Sequence, residues 1–205
     1  EINKIYNENC LDTMAKMPDN FIDLTVTSPP YDNLREYKGF SFPFEDIAKE
    51  LYRVTKDGGV LVWVVGDSVI DGTESGTSFK QALYFKEIGF NLHDTMIYQK
   101  NGAGAVGSNK CYIQNFEYMF VFSKGKIKTT NLIEDRKNKK VCTTITNGGR
   151  DKNNADTGRK YRTVITKEYG KRFNVWQIEQ RNNQDSFHLL HPAPFPQQLA
   201  NDHII

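Results

Sequence analysis

No stretch of this 205-residue chain approaches the ~18 consecutive apolar residues that span a bilayer. Its first residues also lack the basic-then-apolar pattern of a secretory leader, so a membrane location is not expected. Cysteine is scarce: Cys10, Cys111 and Cys142 stand far apart. They offer neither a disulfide framework nor zinc-type spacing, and reduced thiols in a cytoplasmic compartment are expected. Histidine is scarce too, with four in all. His188 and His191 are three apart, but no cysteine is near and Pro192 fixes the backbone, so turn-making fits them better than metal binding. No Gly-x-Ser-x-Gly elbow, no phosphate-cradling Gly-Lys-Ser loop and no conspicuous carboxylate pair is present, which leaves the commonest hydrolase and nucleotide-hydrolysing designs without their residues.

One motif is present only in letters. Gly102-Ala103-Gly104-Ala105-Val106-Gly107 matches the dinucleotide fingerprint, which works only where a strand leads into a helix whose N-terminus receives the pyrophosphate. Here Ser108-Asn109-Lys110-Cys111-Tyr112 and a strand-like segment follow, so a loop is the expectation.

What the chain does carry suits one sizeable domain: 38% hydrophobic and 25% charged residues, with about 70% of the unfolded surface buried on folding. The net charge of +2 conceals an asymmetry. Residues 124–172 hold fifteen Lys and Arg against five Asp and Glu, while the remainder holds twelve against twenty. A basic segment on an acidic body points to a polyanionic partner, although a solvated loop kept soluble by its lysines has the same composition.

Along the chain, Ile5-Tyr6 reads as a short strand. Asn9 is placed to cap a helix with Leu11, Met14 and Met17 on its apolar side, stopped by Pro18-Asp19-Asn20. Phe21 to Val26 reads as a strand. A second helix is expected from Phe44 to Lys56, with Ile47, Leu51 and Val54 on one stripe and Gly58-Gly59 ending it. Val60 to Val65 is apolar without alternation, the pattern of a strand buried on both faces, and it ends at Gly66-Asp67. A helix over 78–88, a strand around Thr95 to Tyr98, and a strand from Phe116 to Phe122 pairing with it as an antiparallel hairpin complete an α/β domain. Periodicity is weak from 124 to 172. It returns at Phe173 to Ile178, before His191-Pro192-Ala193-Pro194-Phe195-Pro196 and a helix from Gln197. The expected organisation is 1–123, a basic insertion at 124–172, and a return to the first domain at 173–205.

Thr27-Ser28-Pro29-Pro30-Tyr31 follows the strand that begins near Phe21. Pro29 and Pro30 give no N–H to a ladder, and Ser28 and Pro29, each before a proline, are pushed out of the α region. The result is a stiff, extended turn that presents a hydroxyl, two carbonyls and a ring at the carboxyl end of a strand, where open α/β sheets bind ligands. A plain strand terminator, or a polyproline ligand for a recognition domain, would use the same residues.

Six segments, taken in order, resemble one family. They are Tyr6 to Leu11, Thr27 to Tyr31, Gly58 to Asp67, Phe116-Glu117-Tyr118, Asn174-Val175-Trp176 and His191 to Pro196. The family is the prokaryotic DNA amino-methyltransferases that methylate cytosine N4 or adenine N6, and within it the permuted (beta) class, whose catalytic half precedes its cofactor half. The resemblance implies a Rossmann-like methyltransferase domain with a mixed sheet and a terminal antiparallel hairpin. It implies S-adenosylmethionine as cofactor, met by Asn9, Cys10, His191, Pro194 and Phe195, and catalysis by Ser28, Pro29, Pro30 and Tyr31 on a base flipped out of double-stranded DNA. It also implies a prokaryotic or phage source and the company of a cognate restriction endonuclease. The Ser at the head of the motif tilts the expectation toward cytosine N4 over adenine N6. Lys137, Lys139, Lys140, Arg150, Arg159 and Arg162 are the expected phosphate contacts of a target-recognition segment.

One part of the family pattern is missing. The Asp-Pro-Phe strand and Gly-rich cofactor loop that follow Pro-Phe-Pro in the permuted class do not occur before Ile205. The sheet is therefore expected to be incomplete, with Ile22, Leu24 and Val26 on an unpaired edge, and to be finished by a further segment or a partner chain. A nucleic-acid-binding remnant without catalysis, and an RNA amino-methyltransferase with a similar Pro-Pro-Tyr turn, are the other readings.

Overall fold

The computed structural model describes residues 3–30, 42–101, 111–146, 153, 162–179 and 196–204. Two compact units divide them: Glu1–Thr130 with Asn174–Ile205, and Asn131–Phe173.

The first unit is built on helices α1 (Cys10–Ala15), α2 (Phe44–Val54) and α3 (Thr77–Glu87), and on strands β1 (Ile22–Thr27), β2 (Thr55–Val65), β3 (Val69–Ile70), β4 (Thr73–Glu74), β5 (Asn91–Lys100) and β6 (Phe116–Ser123). In the second unit lie β7 (Arg136–Lys137), β8 (Thr143–Thr146), β9 (Arg162–Ile165) and β10 (Tyr169–Gly170). The chain then returns to the first unit with β11 (Val175–Ile178) and α4 (Gln197–Ile204). Five strands form one mixed sheet in the order β1-β2-β6-β5-β11. β1 pairs parallel with β2, β6 runs antiparallel between β2 and β5, and β11 lies parallel to β5. Among the described residues β1 is an edge, with Ile22, Leu24 and Val26 half-buried.

Strand β2 is interior, between β1 and β6, because its sequence is apolar on both sides, and every residue from Leu61 to Val65 is buried. Its pleat sends Leu61, Trp63 and Val65 to one face, where they meet Phe120 and Phe122 of β6 and the apolar stripes of α1, α2 and α3. Aromatic contacts knit this layer. Phe85 of α3 lies 5.0 Å from Trp63, 5.4 Å from Phe44 and 4.9 Å from Phe122 by ring centroids. The indole N–H of Trp63 donates to Gln81 Oε1 at 2.8 Å, so neither buried polar group is left unmet. The opposite face carries Val64, Met119 and Trp176, and α4 covers it. His203 stacks on Trp176 at 4.6 Å, and its Nε2 lies 3.1 Å from Met119 Sδ. Leu199 of the same helix is fully buried.

The cap at Asn9 is as expected: its Oδ1 accepts from Leu11 N at 3.0 Å. Two other expectations need correction. Ile5-Tyr6 is not a strand. Ile5 is 97% exposed, and among the described residues no strand lies beside it to complete a ladder. Nor do Gly58 and Gly59 end α2. The helix stops at Val54 because β-branched Thr55 turns extended, its Oγ1 donating to Leu51 O at 2.6 Å. Both glycines lie inside β2 instead, where Gly58, at φ +85°, donates its N–H to Lys124 O. Arg53 then locks α1 to α2. Its guanidinium donates to Met14 O and Met17 O at the open end of α1, and pairs with Asp19 and Glu50.

Candidate active site at the carboxyl edge of the sheet

Because β1 and β2 are parallel, with Thr27 beside Trp63, the Ser28-Pro29-Pro30 turn and the Gly66-Asp67 turn leave the sheet side by side. Strand β5 runs the same way, two antiparallel steps from β2, so Lys100 and Asn101 come out at this edge too. The start of β6 returns there with Phe116 and Glu117. Lys100 and Glu117 form an ion pair with both side chains largely buried. Pro29 is buried, while Ser28 and Pro30 are half-buried. The proline corner is thus anchored in the protein rather than hanging in solvent.

Asp67 holds the neighbouring wall. Its Oδ1 accepts from Ser78 N at 2.9 Å and from Ser75 Oγ at 3.2 Å, and its Oδ2 accepts from Ser78 Oγ. These bonds tie the β3–β4 hairpin and the first turn of α3 to the end of β2. The carboxylate also satisfies an N–H that the helix itself leaves open, at the end where the helix dipole favours negative charge. Tyr118 faces the same corner between Phe79 and Phe116, at 5.2 and 5.4 Å. Its phenol pKa is raised, by burial first and by the charges of Asp67 and Glu74 next, so the hydroxyl stays protonated through the neutral range.

Of the residues expected from sequence, Ser28, Pro29 and Pro30 come together at this edge, and Tyr31 lies outside the described residues. Asn9 and exposed Cys10 stand at the start of α1. His188, His191, Pro194 and Phe195 lie outside the described residues, as do Gly102 to Gly107. Among the described residues no group of three His, Cys, Asp or Glu is placed to hold a metal ion. Sequence reading assigned no role to Asp67 or to the Lys100–Glu117 pair. The available signal was a carboxylate straight after a buried strand and before a Ser/Thr-rich helix start.

The second unit holds twelve Lys and Arg against five Asp and Glu. It contains two ribbons, β7 with β10 and β8 with β9. Lys137 is exposed on β7, and Lys139 and Lys140 are exposed just beyond it. Arg162 opens β9, while Arg150 and Arg159 lie outside the described residues. Not every cation here faces solvent unpaired: Lys167 pairs with Glu134 at 2.8 Å, and Arg172 pairs with Asp135. Both carboxyl groups have lowered pKa values, caused first by the hydrogen bonds those cations donate.

A mixed sheet of this order, with helices on both faces and a proline corner at its carboxyl edge, defines a Rossmann-like methyltransferase fold. The solved structure of the PvuII cytosine-N4-specific DNA methyltransferase shares it: TM-score 0.63, 19% sequence identity, 97% of this chain and 68% of that one covered. The N6_N4_Mtase family, described as DNA methylase, matches residues 22–205, and the chain belongs to that family. Among curated proteins it is 55% identical over 196 residues to the orphan methyltransferase M.BamHII of Bacillus amyloliquefaciens, covering 91% of this chain and 72% of that protein. It is 39% identical over 77 residues to the type II methyltransferase M.BglII of Bacillus subtilis, covering 34% of this chain and 21% of that protein.

Proposed function

We propose that this chain methylates the exocyclic amine of a base flipped out of double-stranded DNA, with cytosine N4 as the favoured target and adenine N6 as the alternative. The observation that carries the reading is the Ser28-Pro29-Pro30 corner. It sits partly buried at the carboxyl edge of the sheet, next to the Asp67-anchored wall, in a chain of the DNA methylase family.

An exocyclic amine is a poor nucleophile because its lone pair is delocalised into the ring. The Ser28 hydroxyl oxygen and the Pro29 carbonyl accept hydrogen bonds from its two N–H groups, which favours a pyramidal nitrogen and localises that lone pair; the methylated nitrogen then releases one of these protons to water. Neither proline can swing away, so the acceptors are held in place before the base arrives, and such positioning supplies much of the acceleration in transfers of this kind. Extruding the base costs a few kcal/mol. Stacking on Tyr31 returns roughly 1–3 kcal/mol of that.

S-adenosylmethionine is the proposed cofactor, and when bound it supplies an electrophilic methyl group. The described part of its expected site fits a polar ligand. Asn9 and Cys10 are exposed at the head of α1, where Asn9 Oδ1 accepts from Leu11 N. Among the described residues one edge of β1 is unpaired. The proposed setting is bacterial and cytoplasmic. Among the described residues no helix is long and apolar enough to cross a membrane.

Transfer of a labelled methyl group from S-adenosylmethionine into duplex DNA, followed by nucleoside analysis, tests activity and base together. Ser28→Ala should lower kcat about a hundredfold with the fold intact. Label appearing only in RNA, or unchanged turnover in Ser28→Ala, would overturn the reading. Substituting Lys137, Lys139 and Lys140 together should flatten the salt dependence of DNA affinity by close to three in log–log slope.

A further inference from the structure

The basic residues of the second unit are not equivalent. Lys167 and Arg172 are neutralised by carboxylates. Arg136 is different, since its described ties are a backbone carbonyl and an aromatic face. Its Nε donates to Lys171 O at 2.9 Å, and its guanidinium carbon lies 4.6 Å from the centroid of the Phe173 ring. Phe173 is 66% exposed, so the ring does not serve a core; it serves as a platform under the guanidinium. In the β7–β10 ribbon Arg136 stands opposite Gly170. A Cβ at Gly170 would come within 2.5 Å of Arg136 Nη2, so glycine keeps the space the fork occupies. Strand alternation puts exposed Lys137 and Tyr169 on the other side of the ribbon.

We propose that Arg136 is a specificity-determining residue that reads a guanine in the recognition sequence, the β7–β10 ribbon entering the major groove. The proposal rests on the DNA-methyltransferase reading above. The major groove admits a two-stranded ribbon, and guanine there presents O6 and N7 as a paired acceptor that an arginine fork meets bidentately. Anchoring Nε and stacking the plane remove most of the rotamer freedom that an exposed arginine would lose on binding. The Nη groups remain as donors, with a charge that no described carboxylate neutralises. Lys137, Lys139 and Lys140 nearby are suited to phosphates, which fix the register but carry no sequence information.

The test is selection of preferred sites from a random duplex pool by the full chain, comparing wild type with Arg136→Lys, Arg136→Ala and the Lys137/Lys139/Lys140→Ala triple variant. Both Arg136 variants should lose discrimination at one G·C pair by roughly 5- to 150-fold while keeping preference elsewhere. The triple variant should bind all sequences more weakly and keep its preferences. Independently of any folding defect, 7-deazaguanine placed at that one position should weaken wild-type binding and should have little further effect on Arg136→Ala. Unchanged preference at every position in both Arg136 variants, with the lysine effect on salt slope intact, overturns this inference alone. A wild-type chain with no measurable duplex binding, or a triple variant with an unchanged salt slope, overturns the DNA-contact reading with it.

Discussion

Acidification from pH 7 to pH 5 should loosen the hold of α4 on the sheet, and the effect should travel with His203. Its imidazole is stacked on Trp176, lies against Met119 Sδ, and is pushed down from 6.5 to about 4 by burial, with the charge of Asp202 opposing in part. A group whose folded pKa is depressed in this way is neutral in the fold and proton-hungry in the unfolded chain. Below pH 6.5 the unfolded state therefore binds more protons, and stability falls as pH drops toward 4. Between pH 7 and pH 5 the loss is about 2 kcal/mol, and about 3 kcal/mol once both states are protonated. Urea unfolding of the wild type and of His203→Phe, which keeps an aromatic ring on Trp176, should show the wild type losing about 2 kcal/mol more than the variant across that interval. Carboxylates titrate alike in both proteins and cancel in the difference. An NMR titration midpoint for His203 at or above 6, or parallel pH profiles for the two proteins, would refute the reasoning.

Arg53→Ala should lower the urea midpoint of unfolding, because it uncovers the carbonyls of Met14 and Met17 and leaves Glu50 without its partner. Arg53→Lys, a single point charge in place of a fork, should recover less than half. An unchanged midpoint on truncation would show that solvent replaces those bonds at no cost. Gly58→Ala should destabilise by roughly 1–2 kcal/mol. Its φ of +85° strains any side chain, and its Cβ would meet Lys128 Cγ at 2.5 Å and Lys126 O at 3.1 Å. A neutral result by thermal unfolding would mean that the strand relaxes around it.

Hydrophobic patterning was enough to find the elements of the core. Ile47, Leu51 and Val54 share one helical stripe, and the unbroken apolar run before Gly66 can satisfy itself only between two covered faces. Both are local periodicities, legible without a partner. The proline corner was legible for the same reason: a residue before proline, and proline itself, carry their backbone restrictions wherever they occur. Where local propensity met tertiary competition, the sequence was silent or misleading. Gly58-Gly59 has the look of a helix stop, yet the ladder to β1 and the bond from Gly58 to Lys124 draw those residues into β2. Ile5-Tyr6 has β propensity, but among the described residues it joins no ladder. The roles of Asp67, Lys100–Glu117 and Arg136 depend on groups 11, 17 and 34 or more positions away. Composition marked the 124–172 stretch as basic, but charge counts cannot distinguish a lysine facing solvent from one spent on Glu134. That sorting is made by geometry, because an ion pair needs two groups within a few ångströms and a sequence states only their order.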